Sequence, residues 1–319
     1  MLSLVSLVGT VAIALRRVVF WEWTPLLLAS GLLALVTSWC CNPVLSGLQW
    51  GQTALLLQLL VVADLLVVSR HGRGVFVGVA SAIKLFPALF LVVFALRRDW
   101  RPLRLSLIAA GVMTAASTLI WPRSSWYFLI HVLLSGQEVS HFDTTSNLVN
   151  DTSIAALLNR PPFFHGSEPH TLRFVLCAAV VVWGLALAQR AWRRGFEVTA
   201  VVTVLVVDAA GLPNAWIHYY AFVPLLFVTA FEWRAGPQRT LLLAEAIGLC
   251  FPFVYFRTAA GSGPLHNVLF QLICDADALL LLGYLVLASW HLVTSKPMAN
   301  RRRTSSRGER NDRWTPPRR

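Results

Sequence analysis

The chain has 319 residues, of which 56% are hydrophobic and only 13% charged, with a mean hydropathy of +0.63, whereas an ordinary soluble domain carries about 25% charged residues. That composition excludes a soluble globule, because there are too few polar side chains to coat one. The formal charge of +12 does not point to nucleic acid either, since the basic residues sit in short clusters between apolar runs, the pattern that marks the cytoplasmic loops of membrane proteins.

The clusters are Arg16-Arg17, Arg70 with Arg73, Arg97 to Arg104, Arg190 to Arg194, Arg234 with Arg239, and the tail from Lys296 to Arg319. Apolar runs of roughly 17–25 residues, the length that crosses a bilayer, recur between them. With every cluster placed inside, spans fall near 1–15, 24–40, 53–69, 105–121, 172–189, 197–212, 214–232, 241–256 and 268–290. The sides alternate without contradiction. The expected protein is all-α and polytopic, with an external N-terminus and a cytoplasmic C-terminus. Met1 to Leu15 is apolar like the core of a signal peptide, but no basic stretch precedes it and Arg16-Arg17 follows in place of small residues. It therefore reads as a membrane segment.

Gly74 to Leu96 breaks the alternation, because basic clusters flank it at both ends. A single crossing would put one cluster outside. Pro87, near its middle, removes a backbone donor and favours a break. Two half-helices that turn back toward the cytoplasm, with Lys84 to Pro87 near the turn, satisfy both features, and such broken helices are tolerated where they line a protein cavity.

The longest external segment runs from Pro122 to about His170. Trp126 to Leu134 reads as a helix lying at the interface, where Trp and Tyr anchor. Residues 1–295 form one membrane-embedded unit, and 296–319, with Arg301-Arg302-Arg303 and little that is apolar, form a disordered tail drawn to anionic lipid. No internal repeat is visible, which disfavours a transporter built from duplicated halves. Five Cys show neither a disulfide framework nor metal spacing, and the histidines have no HExxH pattern, so no metal site is expected.

Lys84 is the most informative residue, since the chain has 25 Arg and only two Lys, the other lying in the tail. Its ammonium, inside an apolar stretch, either snorkels to the interface or meets a phosphate or carboxylate. Asp64, Asp208 and Glu245 also fall in apolar spans and are expected to make helix–helix hydrogen bonds or to sit at interfaces. On the external side, Asn150-Asp151-Thr152-Ser153 before a short apolar run reads as a helix cap. Arg160 fits capping less well and is a candidate phosphate ligand. The segment Gly211 to Tyr220 contains Trp216, Tyr219 and Tyr220, which form an aromatic belt or a binding wall, and His218, a titratable group beside them. Gly47, Gln49 and Gly51 describe a loop before Gln52.

Taken in order, these pieces resemble the polyprenyl-phosphate-mannose-dependent mannosyltransferases of glycosyltransferase family 87. Gly51-Gln52, Gly74 to Lys84 in a GxxxGxxxxxK spacing, and Arg97-Arg98-Asp99-Trp100 carry the resemblance best. Asp151-Thr152-Ser153-Ile154 with Arg160 is similar to the family's NQSL and following Arg, and Pro213 to His218 to its PISWDHH segment, keeping Pro213, Trp216 and His218. The resemblance implies a GT-C type helical bundle that transfers a sugar, expected to be mannose, from a polyprenyl-phosphate donor to a lipid-linked glycan at the external face. It implies no metal or organic cofactor, with Lys84, Arg160 and His218 facing the leaving phosphate, Gln52, Ser153 and Trp216 binding donor or sugar, and Asp151 as the base, ahead of Asp143 and Glu138. The family pattern begins with a first span and an acidic external loop bearing the aspartate taken as base, for which no counterpart precedes Met1 to Leu15. The alternative reading is a catalytically silent family member that acts as a membrane partner.

Overall fold

The computed structural model describes residues 1–19, 21–69, 71–130, 153–154, 170–211, 217–251 and 275–297. Regular structure among them is helical. The helices are α1 (Leu2–Val18), α2 (Trp23–Cys40), α3 (Asn42–Gln49), α4 (Ala54–Leu66), α5 (Val75–Ile83), α6 (Leu89–Leu96), α7 (Trp100–Ile120) and α8 (Pro122–Tyr127), followed by α9 (His170–Arg193), α10 (Glu197–Gly211), α11 (Val223–Glu232), α12 (Pro237–Gly248) and α13 (Ala276–Thr294). Two 3₁₀ turns, Phe86–Ala88 and Ile217–Phe222, precede α6 and α11.

Among the described residues four helices are long and apolar enough to cross a membrane, namely Trp23–Cys40, Trp100–Ile120, Phe174–Arg193 and Ala276–Thr294. The pair α3 and α4, bent by 113°, makes a fifth if counted as one. The expected count of about nine spans exceeds this: α1 and α10 have 17 and 15 residues, α11 and α12 have 10 and 12, and the expected spans 214–232 and 241–256 fall partly outside the described residues. Apolar side chains also face outward: of α7 only Pro102 and Ser106 are buried, while Leu107, Ile108, Val112 and Leu119 are exposed. A long helix with such an outer face has lipid as its natural solvent, and the chain is a membrane protein.

The most enclosed element is α10, buried from Val198 to Gly211, as expected of a helix apolar all round. It packs antiparallel along α9, with Gly184 facing Val207 and Gly211 facing Val181. Its N-terminus is capped from a distance. Glu232, at the end of α11, accepts hydrogen bonds from the amides of Val198 (2.9 Å) and Thr199 (2.7 Å) and from the Thr199 hydroxyl (2.6 Å). Asp64 of α4 does the same for α5, accepting from the amides of Gly74 (2.9 and 2.8 Å) and Val77 (3.0 Å). A carboxylate at a helix N-terminus satisfies orphan amides and complements the dipole, so the expectation of helix–helix hydrogen bonding holds for Asp64.

The seam between α5 and α7 sets the geometry of the 74–96 stretch. A Cβ on Gly74 would lie 2.2 Å from the Pro102 carbonyl oxygen, and one on Gly78 2.2 Å from that of Ser106. The Ser106 hydroxyl donates to the Gly74 carbonyl (2.7 Å). Small residues four apart let two backbones touch, the device of helix contacts in membranes. The matching offsets, 74 with 102 and 78 with 106, make α5 and α7 parallel and start them side by side. The chain between them therefore turns back. It does so at Lys84, whose backbone is extended (φ −150°, ψ 135°), because the ring of Pro87 would collide with the Ile83 carbonyl in a continued helix.

Replacing Gly78 with Ala is expected to lower the thermal midpoint of the detergent-solubilised protein, the overpacking being worth about 1–3 kcal/mol. Gly111→Ala on the same seam's outer helix, where nothing lies within 4 Å, is expected to leave it unchanged or raise it. Equal midpoints for the two variants would remove the close α5–α7 contact.

Candidate functional site

The break between α5 and α6 delivers Lys84 to the side of the second 3₁₀ turn. Its ammonium lies 4.4 Å from the centroid of the Tyr219 ring. The His218 imidazole stacks on the same ring, with centroids 5.0 Å apart and planes 26° from parallel, and Phe86 meets it edge-on at 6.0 Å. Tyr219 is thus a shared platform that makes Lys84 and His218 neighbours, although 134 positions separate them in the numbering. A cation over an aromatic face gains electrostatically without giving up its charge, so the ammonium turns inward and does not snorkel to the interface.

Asp208, on α10, is the carboxylate that acts on Lys84 and Tyr219. It is 1% exposed, and neither of its oxygens has a hydrogen-bond partner among the described residues. The expectation that it would tie helices together by hydrogen bonds is therefore corrected: it is buried without one, and the charge that acts on it is that of Lys84. The 3₁₀ turn itself is held by Gln58 of α4, 1% exposed. In the amide orientation that satisfies both partners, Gln58 donates to the Ala221 carbonyl (3.2 Å) and accepts from the Phe222 amide (2.9 Å). A 3₁₀ turn leaves backbone groups unpaired at its ends, and a buried amide side chain supplies both the donor and the acceptor they need.

Lys84 also borders a cavity of about 630 Å³ whose wall includes Ser81, Met113, Ser117, Trp121 and Phe128. That volume is in the range of small-molecule sites, roughly 300–1,000 Å³. The wall is mainly apolar with a few hydroxyls, so the ammonium stands where a hydrocarbon-lined groove meets a polar, aromatic cluster.

Of the other residues expected at the site, Gln52 is half-buried in the turn between α3 and α4, its backbone amide donating to the Gly47 carbonyl (2.9 Å). Of Gly47, Gln49 and Gly51, expected as loop, the first two lie in the helix Asn42–Gln49 and Gly51 makes the turn with φ +60°. Ser153 is fully buried beside the buried Ile154. Asp151, Arg160 and Trp216, like Asp143 and Glu138, lie outside the described residues, as do the interfacial stretch beyond Ile130 and most of the basic tail.

The glycosyltransferase family 87 model matches residues 1–212. The chain belongs to glycosyltransferase family 87. Among curated proteins, a polyprenol-phosphate-mannose-dependent alpha-(1-2)-phosphatidylinositol mannoside mannosyltransferase of Mycobacterium tuberculosis is 28% identical over 76% of this chain and 58% of its own length. The protein of the same name from Mycolicibacterium smegmatis is 30% identical over 72% of this chain and 55% of its own. This family 87 chain thus spans a little over half the length of those relatives. No solved structure matches it.

Sequence reading missed Tyr219 as platform, Asp208 as counter-charge and Gln58 as clamp. The signal for Gln58 was present, an amide in the otherwise apolar run from Ala54 to Ala63. Gln58→Leu leaves the Ala221 carbonyl and Phe222 amide unpaired, at a cost of about 1–3 kcal/mol each. Hydrogen exchange at residues 217–222 is expected to accelerate at least tenfold, about 1.4 kcal/mol of local opening corresponding to one decade. Unchanged protection there would mean that Gln58 does not hold the turn.

Proposed function

We propose that this chain transfers a mannosyl residue from a polyprenyl-phosphate donor to the hydroxyl of a lipid-linked glycan at the external membrane face. The observation that carries this reading is the position of Lys84: a cation at the junction of an apolar cavity and a cluster containing Tyr219 and His218. A polyprenyl phosphate has the same two parts, a hydrocarbon chain and a phosphate. The names of the relatives specify a polyprenol-phosphate-mannose donor and a phosphatidylinositol mannoside acceptor, and family membership supports extending the donor, and an acceptor of that class, to this chain.

In the transfer, the acceptor oxygen bonds to the sugar C1 and the bond from C1 to the phosphate oxygen breaks. The acceptor proton passes to a carboxylate, and polyprenyl phosphate leaves with one more negative charge than the donor carried. Lys84 and His218, with Arg160, are placed in this reading to stabilise that added charge, which they do best in a water-poor site. Gln52, Ser153 and Trp216 contact donor or sugar, and Asp151 takes the proton. Asp208 compensates Lys84 before the donor arrives, since a buried ammonium needs an anionic partner. The charges supplied by these side chains make a metal ion or organic cofactor unnecessary.

The hairpin 74–96 enters from the cytoplasmic side and returns to it, lifting Lys84 toward the external face. In support, Arg73 and Arg97 line one cavity, so both ends of the stretch lie together. Single cysteines at positions 72 and 99 are both expected to react with an impermeant maleimide only when the cytoplasmic face is open. Labelling from opposite faces would replace the hairpin by a crossing.

Lys84→Met is expected to lower mannose transfer from polyprenyl-phosphate-mannose about 100-fold or more, the scale of removing one charge-stabilising donor. It also leaves Asp208 without its cation, so the thermal midpoint should fall; adding Asp208→Asn should restore stability but not transfer. Normal transfer by a stable Lys84→Met protein would end the proposed role of the ammonium.

A further inference from the structure

At the opposite end of α5 from Lys84, a second polar cavity of about 400 Å³ is lined by Arg73, Arg97, Arg98, Asp99, Trp100, Arg101 and Pro102. Four arginines and one aspartate thus line one cavity, Arg73 and Arg97 half-buried and Arg98 and Arg101 exposed. That carboxylate is already taken: Arg97 Nε lies 2.9 Å from Asp99 Oδ2, and the Arg97 guanidinium is 4.2 Å from the Trp192 ring centroid. Arg73, Arg98 and Arg101 have no ion pair among the described residues. Arg73 Nε is shut off from solvent and makes no hydrogen bond among those residues.

Topology explains why basic residues lie in this loop, but not why they converge. Convergence has a cost. Burial lowers the pKa of the Arg97 guanidinium, Asp99 draws it back up, and the charge of Arg73 lowers it again, so the two cations work against each other. Arg98 occupies the left-handed region at φ 56°, the position just past a helix end where Gly is the usual residue. Its amide and that of Asp99 donate to the carbonyls of Ala95 and Phe94 (both 2.9 Å), which fixes the turn. Arg101 lies in the first turn of α7, where the helix dipole disfavours a cation and favours an anion. The mutual repulsion of the guanidinium groups and the cation at a helix start are both relieved by a multiply charged oxyanion, to which Arg presents its donors in pairs.

We propose that this cavity is a second phosphate site, distinct from the one at Lys84, which binds the phosphate headgroup of an anionic lipid from the membrane leaflet on the Arg-cluster side. Trp100 and Leu96, 58% and 51% exposed beside it, provide the interfacial anchoring that a lipid ligand requires and a free anion does not. Bound there, the headgroup neutralises the cations that flank the Gly74–Pro102 contact and braces the base of the hairpin.

The test uses the full chain in phosphatidylcholine nanodiscs, alone, with phosphatidylserine, with phosphatidic acid, or with inorganic phosphate added. Its readout is the thermal midpoint, which does not depend on transferase activity. Phosphatidic acid is expected to raise the midpoint by about 5 °C, and phosphatidylserine, which lacks a terminal phosphate, by much less. Arg98→Gly is the decisive variant: Gly suits the left-handed turn, so the midpoint in phosphatidylcholine should hold or rise, while the phosphatidic acid increment shrinks. Arg73→Gln with Arg101→Gln should abolish the increment. A full increment from inorganic phosphate alone would overturn the lipid assignment in favour of a free oxyanion. Equal increments from the two anionic lipids, or an undiminished increment in Arg98→Gly and in the double variant, would overturn the site.

Discussion

The contact of α5 with α7 through Gly74 and Gly78 is the constraint on which the placement of the candidate site depends. Two backbones that touch at carbonyl distance, with no Cβ between them, leave α5 little freedom to slide, and the Ser106 hydroxyl and the Asp64 carboxylate pin its first turn from two sides. Nine residues later the helix ends, a rise of about 14 Å at 1.5 Å per residue, or half the hydrocarbon core. The height of Lys84 above the basic cluster is therefore set by the seam and the length of α5 together. The GxxxGxxxxxK spacing is a measuring rod: two glycines fix the bottom, and the lysine marks the top.

Buried charge is handled in two ways in this molecule, and the difference separates scaffold from site. Asp64 and Glu232 each meet the free amides at the start of a neighbouring helix, so their charges are fully hydrogen-bonded and their effect is to fix α5 and α10 in place. Trp233 extends the second of these, its indole donating to the Thr199 hydroxyl (3.1 Å). Asp208 lies on the same helix that Glu232 caps, equally buried, and its oxygens meet no backbone amide; the nearest compensation is the charge of Lys84, felt without an ion pair among the described residues. A carboxylate satisfied by fixed amides has nothing to exchange. One compensated by a flexible side chain can release that chain to another anion, which is what the proposed phosphate site requires.

The sequence made the hairpin legible because two independent signals agreed: basic clusters at both ends of 74–96 and a proline in the middle. Lys84 was legible through its rarity. The platform on which it rests was not, because a Tyr next to Trp and His at a span end is what an interfacial belt looks like, and only the fold shows that Phe86 and Lys84 reach Tyr219 from a segment 130 residues earlier. Asp208 was misread for a related reason. Hydropathy treats every carboxylate in a span alike, and whether it finds amides or a cation depends on the partner helix, which is a long-range property. The helix α3 was hidden by Gly47 and Gly51, residues that usually punctuate a loop; one of them sits within the helix and the other turns the chain through the 113° bend.

The choice between the two basic residues follows from the same geometry. Arg fills every cluster on the basic side, and in the cavity at the base of α5 its planar fork suits a ligand that offers paired oxygens. At the top of α5 the chain uses Lys. A compact ammonium on a four-carbon stem sits over one face of Tyr219, and its donors are not committed to a planar pairing. A guanidinium presents its donors as a rigid fork and favours bidentate pairs, which an incoming phosphate would have to displace. On the proposed reading, an Arg-rich chain that places Lys84 at this point keeps the cation held but exchangeable, as a site for the donor phosphate needs.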